Sequence, residues 1–351
     1  RQFIDHPRYL PEDIRAKLDF KAGTNHGRIW RIILKTPAPP KRTAKQLAAA
    51  QLTLRLSRAD FPKVEFPAEL IKLAKSSDAR KRFQAALQLG GVQHKAKVIA
   101  LVRVLVNGVD DKWTRATVFS SLGEQSIELL DELAKGSKIR RTNLAPALKP
   151  LGGIIARSRG KAEILSVIER HLAADFGWEP EERIALLKGI AADVRRRPFI
   201  GAQKSVFGLV AEHPPARANV EKIFQAARNR ATGRQSGALR ASAIELLAYS
   251  TYKEDGETLL KLLAPAQPRP VQLVAAQSLG QLSDLRVASA LMEKSRWGSY
   301  VPDLREAVLG VVLGRSIYQP ALMAALEEGT IPVYALSPAR RRALERNKTI
   351  G

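Results

Sequence analysis

A nine-residue phrase, RFQAALQLG beginning at Arg82, recurs along the chain and constrains the fold more than any other feature. Each copy has an Arg or Gln, a small or apolar residue three positions later, an apolar residue at the seventh position and often Gly at the eighth. Successive starts are 33 residues apart at the first pair, and 32 or 33 residues apart from Arg240 onward. A fixed period in this range predicts stacked pairs of helices. The copies, of which that at Arg183 is looser, begin at Arg82, Arg115, Arg183, Arg240, Gln272 and Arg305.

Spacings of three, four and seven residues place the apolar members of each copy on one face of a helix. One hairpin cannot bury that face alone, so neighbouring copies are expected to pack on one another. A recurring Arg or Gln at a fixed place before the small residue is interpreted as a contact between repeats. The predicted core positions are Ala85, Leu89, Gly90, Val118, Leu122, Gly123, Ala243, Leu247, Ala275, Leu279 and Gly280.

An Asp followed by a basic residue precedes the first two copies. Asp78 comes before Arg80 and Arg82, and Asp111 comes before Arg115, where both acids are placed to cap a helix. The phrase resembles the second helix of HEAT-type repeats. That resemblance implies an all-α fold, a right-handed α-solenoid of HEAT-like helical hairpins, which we expect over residues 43–328.

Composition favours a helical stack and excludes several kinds of site. Of the 351 residues 45% are apolar and only 6% aromatic, so the core is built from Leu, Ala, Val and Ile. The chain has no cysteine, which excludes disulfides, thiolate nucleophiles, zinc knuckles and haem attachment motifs within it. No apolar run approaches the roughly 18 to 20 residues of a membrane span, so none is expected.

Apolar periodicity predicts helices over most of the chain. Pro146, Pro150 and Gly152 are expected to bend or break the helix predicted at 143–157. The 57 residues from Arg183 to Arg240 are too many for one step, so an extra helix is expected at about 202–212. The other predicted helices span residues 45–57, 68–75, 79–90, 95–106, 112–122, 126–135, 162–174, 180–195, 218–231, 256–263, 271–282, 285–294, 304–313 and 319–328.

Both ends of the chain depart from the repeat. Pro11, with Glu12 and Asp13 behind it, predicts a short helix at about 11–18. Residues 27–34, GRIWRIIL, predict a strand, and a lone strand needs a sheet to join. The basic, Pro-rich stretch at 36–42 predicts a linker. Because the chain starts without Met, inside an expected element, we interpret it as a piece of a longer protein. Near the other end, Ser337 and Pro338 predict the start of a last helix.

A second resemblance concerns these ends. The opening RQFIDHPRYLPEDIRAKLDFKAGTNHGRIWRI resembles the end of the β-propeller in planctomycete-type membrane-bound dehydrogenases, which continue into HEAT repeats and a c-type cytochrome domain. The stretch GTIPVYALSPARRRALERNKT, from Gly329 to Thr349, resembles the segment before that cytochrome domain. The resemblance implies that residues 1–35 end an upstream propeller and that 329–351 lead to a downstream domain. It also implies haem c in the parent protein, oxidation of a sugar or alcohol, and a periplasmic or cell-envelope location.

Chemistry-bearing residues do not form a motif. The histidines do not pair at metal-ligand spacing, and HExxH is absent. His171 lies on an apolar helical stripe, where a core imidazole is the simpler interpretation. We therefore expect no catalytic, cofactor-binding or metal-binding residue in this chain. The histidines are His6, His26, His94, His171 and His213.

Positive charge is the remaining candidate signal. The formal net charge of +24 would attract an acidic partner or phosphate, although solvated helix faces also carry such charge. Cations at a helix C-terminus are favoured by the helix dipole, which offers a structural explanation for the cluster at 195–197. The candidate interaction surface consists of Arg140, Arg141, Arg195, Arg196, Arg197, Arg340, Arg341 and Arg342.

Two functions remain open on the sequence. The first is a non-catalytic scaffold that spaces a propeller dehydrogenase from a cytochrome domain and contacts those domains or an acidic protein. The second is a basic HEAT-like solenoid that binds nucleic acid, as HEAT-like DNA glycosylases do. Such glycosylases surround the base with aromatic and acidic residues. The four tryptophans are instead scattered, at Trp30, Trp113, Trp178 and Trp297.

Overall fold

The computed structural model describes residues 68–92, 94, 96–135, 142–196, 205–233 and 237–345. The expectations for residues 1–35, the linker at 36–42, the helix at 45–57 and the end of the chain after 345 lie outside the described residues. So do Arg140, Arg141 and Arg197 of the candidate surface. All statements below concern the described part of the chain.

Every regular element in the described ranges is helical, and none of them is a strand. The prediction of an all-α fold is therefore confirmed there. The helices are α1 (Ala68–Ala74), α2 (Ala79–Leu89), α3 (Ala96–Val106), α4 (Lys112–Ser121), α5 (Ser126–Lys135), α6 (Ala145–Ser158), α7 (Lys161–His171), α8 (Pro180–Arg196), α9 (Val206–Val210), α10 (Pro214–Thr232), α11 (Gly237–Leu247), α12 (Glu257–Lys261), α13 (Arg269–Gln281), α14 (Arg286–Leu291), α15 (Lys294–Ser299), α16 (Pro302–Leu313), α17 (Gln319–Glu327) and α18 (Pro338–Glu345).

Helix starts follow local side-chain chemistry. The Asp78 carboxylate accepts a hydrogen bond from the main-chain N–H of Arg80, and Asp111 accepts from Trp113 and Thr114. Such caps satisfy N–H groups that have no partner within the helix. The Ser337 hydroxyl likewise accepts from the N–H of Arg340 in α18. The sequence signals for these three starts are therefore matched by the geometry.

Contacts between helices follow chain order. Of the helices that carry the recurring phrase, α2 packs on α4, α8 on α11, α11 on α13 and α13 on α16, while α6 lies along α8. Other helices make a second series of contacts: α1 with α3, α3 with α5, α7 with α10 and α14 with α17. Each helix thus buries its apolar face against helices close to it in sequence.

Most predicted core positions are buried, and two are not. The buried ones include Gly280, where an added Cβ would lie 2.6 Å from a methyl of Val311 on α16. Gly90 and Gly123 are exposed, so the prediction that they are core positions is wrong. Gly123 has φ of +61° and no neighbour that would touch a Cβ, because it serves a turn. The buried positions are Ala85, Leu89, Val118, Leu122, Ala243, Leu247, Ala275, Leu279 and Gly280.

The helix expected to bend or break at Pro146, Pro150 and Gly152 is not broken, because α6 runs continuously through all three residues. Its glycine instead allows close packing on α8, since a Cβ on Gly152 would collide with the carbonyl oxygen of Leu186. In the reverse direction, a Cβ on Gly189 would collide with the carbonyl oxygen of Lys149. This packing outweighs the local preference of the proline to end a helix.

The predicted helix at 285–294 is divided in two. After α14 ends, the Glu293 carboxylate accepts hydrogen bonds from the N–H groups of Ser295 and Arg296, and it thereby starts α15. No single described helix is both long and apolar enough to span a membrane. One pair, α16 with residues 316–327, reaches that length and composition only jointly and is bent by 110°.

Candidate interaction surface

The recurring Arg or Gln binds main-chain carbonyls at the end of the helix before it. Arg82 Nη1 donates to the carbonyl oxygens of Ser76 and Ser77 at 2.9 and 2.7 Å, just beyond α1. Its Nη2 donates to the carbonyl of Asn107, just beyond α3, at 3.1 Å. The carbonyls at the end of a helix have no N–H group of that helix to accept a hydrogen bond from, so a cationic donor there is favourable. Arg82 therefore joins its own helix pair to the next one.

Four equivalent residues make the same kind of contact. Arg115 donates to the carbonyl of Val109, and Arg240 Nε donates to that of Ala231 at 2.6 Å. Arg240 also reaches the side-chain oxygen of Gln267 at 2.6 Å. Gln272 and Arg305 bind carbonyls at residues 263–264 and 297–298, respectively. The recurring position is thus a helix-end contact within one helical pair. Among the described residues only Arg82 and Arg240 also reach the next pair, through Asn107 and Gln267, so the interpretation as a contact between repeats is supported at those two positions.

Arg195, in the last turn of α8, links three helices. Its Nη2 donates to the carbonyl of Ala248 at 2.6 Å and its Nη1 to that of Gln281 at 3.2 Å, after α11 and at the end of α13. The guanidinium lies 4.6 Å from the ring centroid of Tyr249. Burial lowers the pKa of Arg195 below its ordinary value, and the nearby charge of Arg315 lowers it further. Arg195 therefore has a structural role at this edge.

Arg315, which the sequence reasoning missed, lies beside Arg195. Its Nη2 donates to the same Gln281 carbonyl at 3.4 Å, and its Nη1 donates to the Ser283 hydroxyl at 2.9 Å. It lies just after the C-terminus of α16, as the cluster at 195–197 lies at the C-terminus of α8. A search for any cation directly after a phrase-bearing helix, and not only for clusters, would have found it.

Arg157 and Arg196 complete this edge. Arg157, in the last turn of α6, pairs with Asp193 of α8 through both carboxylate oxygens at 3.3 and 3.4 Å. Arg196 is exposed at the end of α8. We call Arg157, Arg195, Arg196 and Arg315 the arginine edge. Its members lie at the C-terminal ends of α6, α8 and α16, where partial negative charge on the carbonyls favours cations.

The other predicted cluster lies apart, on α18. Arg340 forms an ion pair with Glu306 of α16 at 2.6 Å, and Arg342 donates to the carbonyl of Pro338 at 3.3 Å. Arg341 is exposed. Arg340 and Arg342 thus contact α16 and their own helix, whereas Arg195 contacts the ends of α11 and α13.

Titratable groups in the core form pairs. His171 is buried, with Nε2 2.9 Å from Asp131 Oδ1, and burial lowers its pKa to about 4. The Lys188 ammonium is buried between α8 and α11 and contacts Glu245 at 2.5 Å and the Ser242 hydroxyl at 3.2 Å. Across the described ranges, no three His, Asp or Glu residues are grouped so that they could hold a metal ion.

Over its described residues the chain is all-helical, its helices pack in sequence order, and one edge is lined by arginines. Comparison with protein-family models, curated proteins and solved structures finds no match to this chain. The function must therefore be argued from the geometry and the sequence.

Proposed function

We propose that the chain is a non-catalytic scaffold, a right-handed α-solenoid of HEAT-like helical hairpins that serves as an interaction module. The observation that carries this proposal is the recurring Arg or Gln, which binds the carbonyls ending the preceding helix at five equivalent places. A contact repeated in register means that the same helical pair is built several times, and the helices that carry the recurring phrase pack on one another in chain order. Repeated units that contact only their neighbours offer an extended surface to partners.

Hydrogen exchange can test the repeated architecture. In such a stack, Leu122→Ala should reduce amide protection in α2 to α5 while leaving α13 to α17 unchanged, because stability is transmitted between neighbours only. Leu279→Ala should give the reciprocal pattern. Equal loss of protection in both regions for either variant would show a single cooperative core and would contradict the proposal.

The arginine edge is the surface to which we assign an acidic protein partner. Arg196 is exposed there, Arg157 is accessible beside its pair with Asp193, and the net charge of +24 adds a long-range attraction for acidic surfaces. A matched test compares Arg196→Glu with Arg80→Glu, which makes the same charge change at the exposed start of α2. Poly-glutamate should bind Arg196→Glu more weakly than Arg80→Glu at low salt.

The same titration separates the two functions that the sequence left open. A mixed-sequence DNA duplex would be bound more tightly than poly-glutamate if the chain were a nucleic-acid binder, with affinity falling steeply as salt rises. That outcome would replace the scaffold proposal. Equal weakening by Arg196→Glu and Arg80→Glu would show that the arginine edge has no special part in binding.

For the parent protein we propose a spacer between a propeller dehydrogenase and a cytochrome c domain, in the periplasm or cell envelope. The support is the resemblance of the opening residues and of the stretch from Gly329 to Thr349. Haem c and the oxidation of a sugar or alcohol would then belong to flanking domains. The coding sequence after residue 351 should contain a Cys-x-x-Cys-His motif, and its absence would remove this context.

A further inference from the structure

Arg183 occupies the recurring position in α8 but does not make the recurring contact. Among the described residues its side chain has no hydrogen bond or ion pair, and its Nε is buried. The connection before α8, residues 172–179, contains Gly177 with φ of +95° and the buried Trp178. The Glu179 carbonyl accepts the main-chain N–H of Arg183, but no carbonyl of this connection accepts a hydrogen bond from the Arg183 side chain.

Carbonyls in the last turn of α7 are bound by a residue of α10. The Asn219 side-chain amide, on α10, donates to the carbonyls of Ile168 and Glu169 in the last turn of α7, at 3.4 and 2.9 Å. Asn219 thereby links α10 to the end of α7, beside Arg183. The Arg183 side chain has no main-chain acceptor among the described residues.

The carboxylates next to Arg183 are also engaged elsewhere. Glu181 pairs with Arg230 at 3.6 Å. Glu182 accepts hydrogen bonds from the main-chain N–H groups of Leu144 and Glu179, at 2.8 and 3.1 Å. The guanidinium of Arg183 thus has donors to offer and no acceptor among the residues that the structure describes.

Arg183 lines a cavity of about 170 Å³ between the end of α7, the start of α8 and α10. Lys222 is a second cation at this cavity, and Leu172, Ile184 and Ile223 give it mainly apolar walls. We refer to it as the Arg183 cavity. Two cations over apolar walls fit a ligand with a negative end and an apolar body. The planar guanidinium suits a carboxylate, which it can bind through two parallel N–H donors.

We propose that the Arg183 cavity binds small aliphatic carboxylates, with the carboxylate on Arg183 and Lys222 and the chain against Ile184 and Ile223. This proposal is independent of the scaffold function. Octanoate is the probe, with octan-1-ol as the neutral analogue of the same length. In the full chain with labelled isoleucine methyl groups, octanoate should shift the NMR signals of Ile184 and Ile223 and leave those of Ile99 and Ile331 in place.

Arg183→Gln is the decisive variant. Gln already occupies the equivalent position of another copy of the phrase, at Gln272, so the helix should accept it. It should weaken octanoate binding by about tenfold or more, since charge-assisted hydrogen bonds to the carboxylate are lost. Its urea unfolding midpoint should match that of the parent, because the Arg183 side chain makes no hydrogen bond or ion pair with the residues that the structure describes. The matched control is Arg82→Gln, which should lower the unfolding midpoint and leave octanoate binding unchanged.

Three outcomes would overturn the proposal. Octan-1-ol could bind as tightly as octanoate, which would make the cavity a purely apolar site. Arg183→Gln could bind octanoate as tightly as the parent while folded. Inorganic phosphate could shift the Ile184 signal at lower concentration than octanoate does, which would show that the site prefers a compact oxyanion over an aliphatic carboxylate.

Discussion

Arg228 and Asp255 form a two-pronged ion pair, with Nε 2.7 Å from Oδ1 and Nη2 3.1 Å from Oδ2. The Asp255 side chain is fully buried, and that of Arg228 is 24% exposed. The hydrogen bond to Asp255 raises the pKa of Arg228 above its ordinary value. It ties α10 to the turn of π-helix at Tyr252–Gly256 that leads into α12.

Removing the acid of this pair should destabilise the chain. Asp255→Asn leaves the charge of Arg228 without its partner in a largely buried place, and we expect a loss of about 2 to 4 kcal/mol. Urea unfolding followed by circular dichroism measures it. The control is Arg217→Gln, which breaks an exposed ion pair with Glu221 and should change stability by about 0.5 kcal/mol or less. Similar effects of the two variants would contradict the structural role of the pair.

A glycine at a helix crossing and a glycine on an open helix face should respond to alanine in opposite ways. Gly189→Ala places a Cβ against the main chain of α6, and because backbone cannot move aside cheaply, we expect a loss of about 3 kcal/mol or more. Gly310→Ala lies on the exposed side of α16 with open space around it and should gain about 0.5 to 1 kcal/mol of helix propensity. Unfolding midpoints that move in the same direction would argue against the close approach of α6 and α8.

Core leucines of the recurring phrase should carry a large share of stability. Leu122 and Leu279 are buried, and each change to Ala removes methyl groups and leaves a cavity, at about 2 to 5 kcal/mol. Leu87 on α2 is half exposed, and Leu87→Ala should cost well under half as much. Denaturant midpoints of the three variants provide the comparison. A midpoint for Leu122→Ala or Leu279→Ala equal to that of the parent would overturn the assignment of the phrase to the core.

The buried His171 should make stability fall in mild acid. Burial lowers its pKa in the folded chain to about 4, against 6.5 when exposed, although Asp131 raises it and Arg170 lowers it. The unfolded chain therefore binds the proton first, and stability is complete above pH 6.5 and declines as pH falls toward 4. The expected loss is about 2 to 3 kcal/mol.

The contribution of His171 is isolated by the difference between the parent and His171→Gln. Unfolding free energies at pH 7.5 and 4.5 should fall less for the variant than for the parent, since the carboxylates that titrate near pH 4 are common to both. A pH dependence that is the same in both proteins would show that His171 does not resist protonation in the folded chain.

Local signals in the sequence gave the helices, most of the core and the helix starts at Asp78, Asp111 and Ser337. They failed where tertiary contacts compete with local preference. Pro150 lies inside α6 because the glycine contact with α8 holds that helix together. Gly90 and Gly123 share a sequence pattern with Gly280, but both are exposed, whereas Gly280 is buried and a Cβ there would lie 2.6 Å from Val311 of α16. The sequence pattern shows that a residue is small, but it does not show how closely another helix packs against that residue.

The sequence by itself determined that this chain is helical, that its apolar faces recur with a period near 33 residues, and that an Arg or Gln stands at a fixed place in each copy. These are local properties, which follow from the spacing and the types of the residues. Only the tertiary structure decided what each arginine contacts. Arg82 and Arg240 reach carbonyls that another segment brings to them, Arg195 and Arg315 meet at one carbonyl from residues far apart in the chain, and the Arg183 side chain meets no such carbonyl among the described residues. A long cationic side chain can reach several acceptors, and the packing of the helices determines which of them lies within hydrogen-bonding distance.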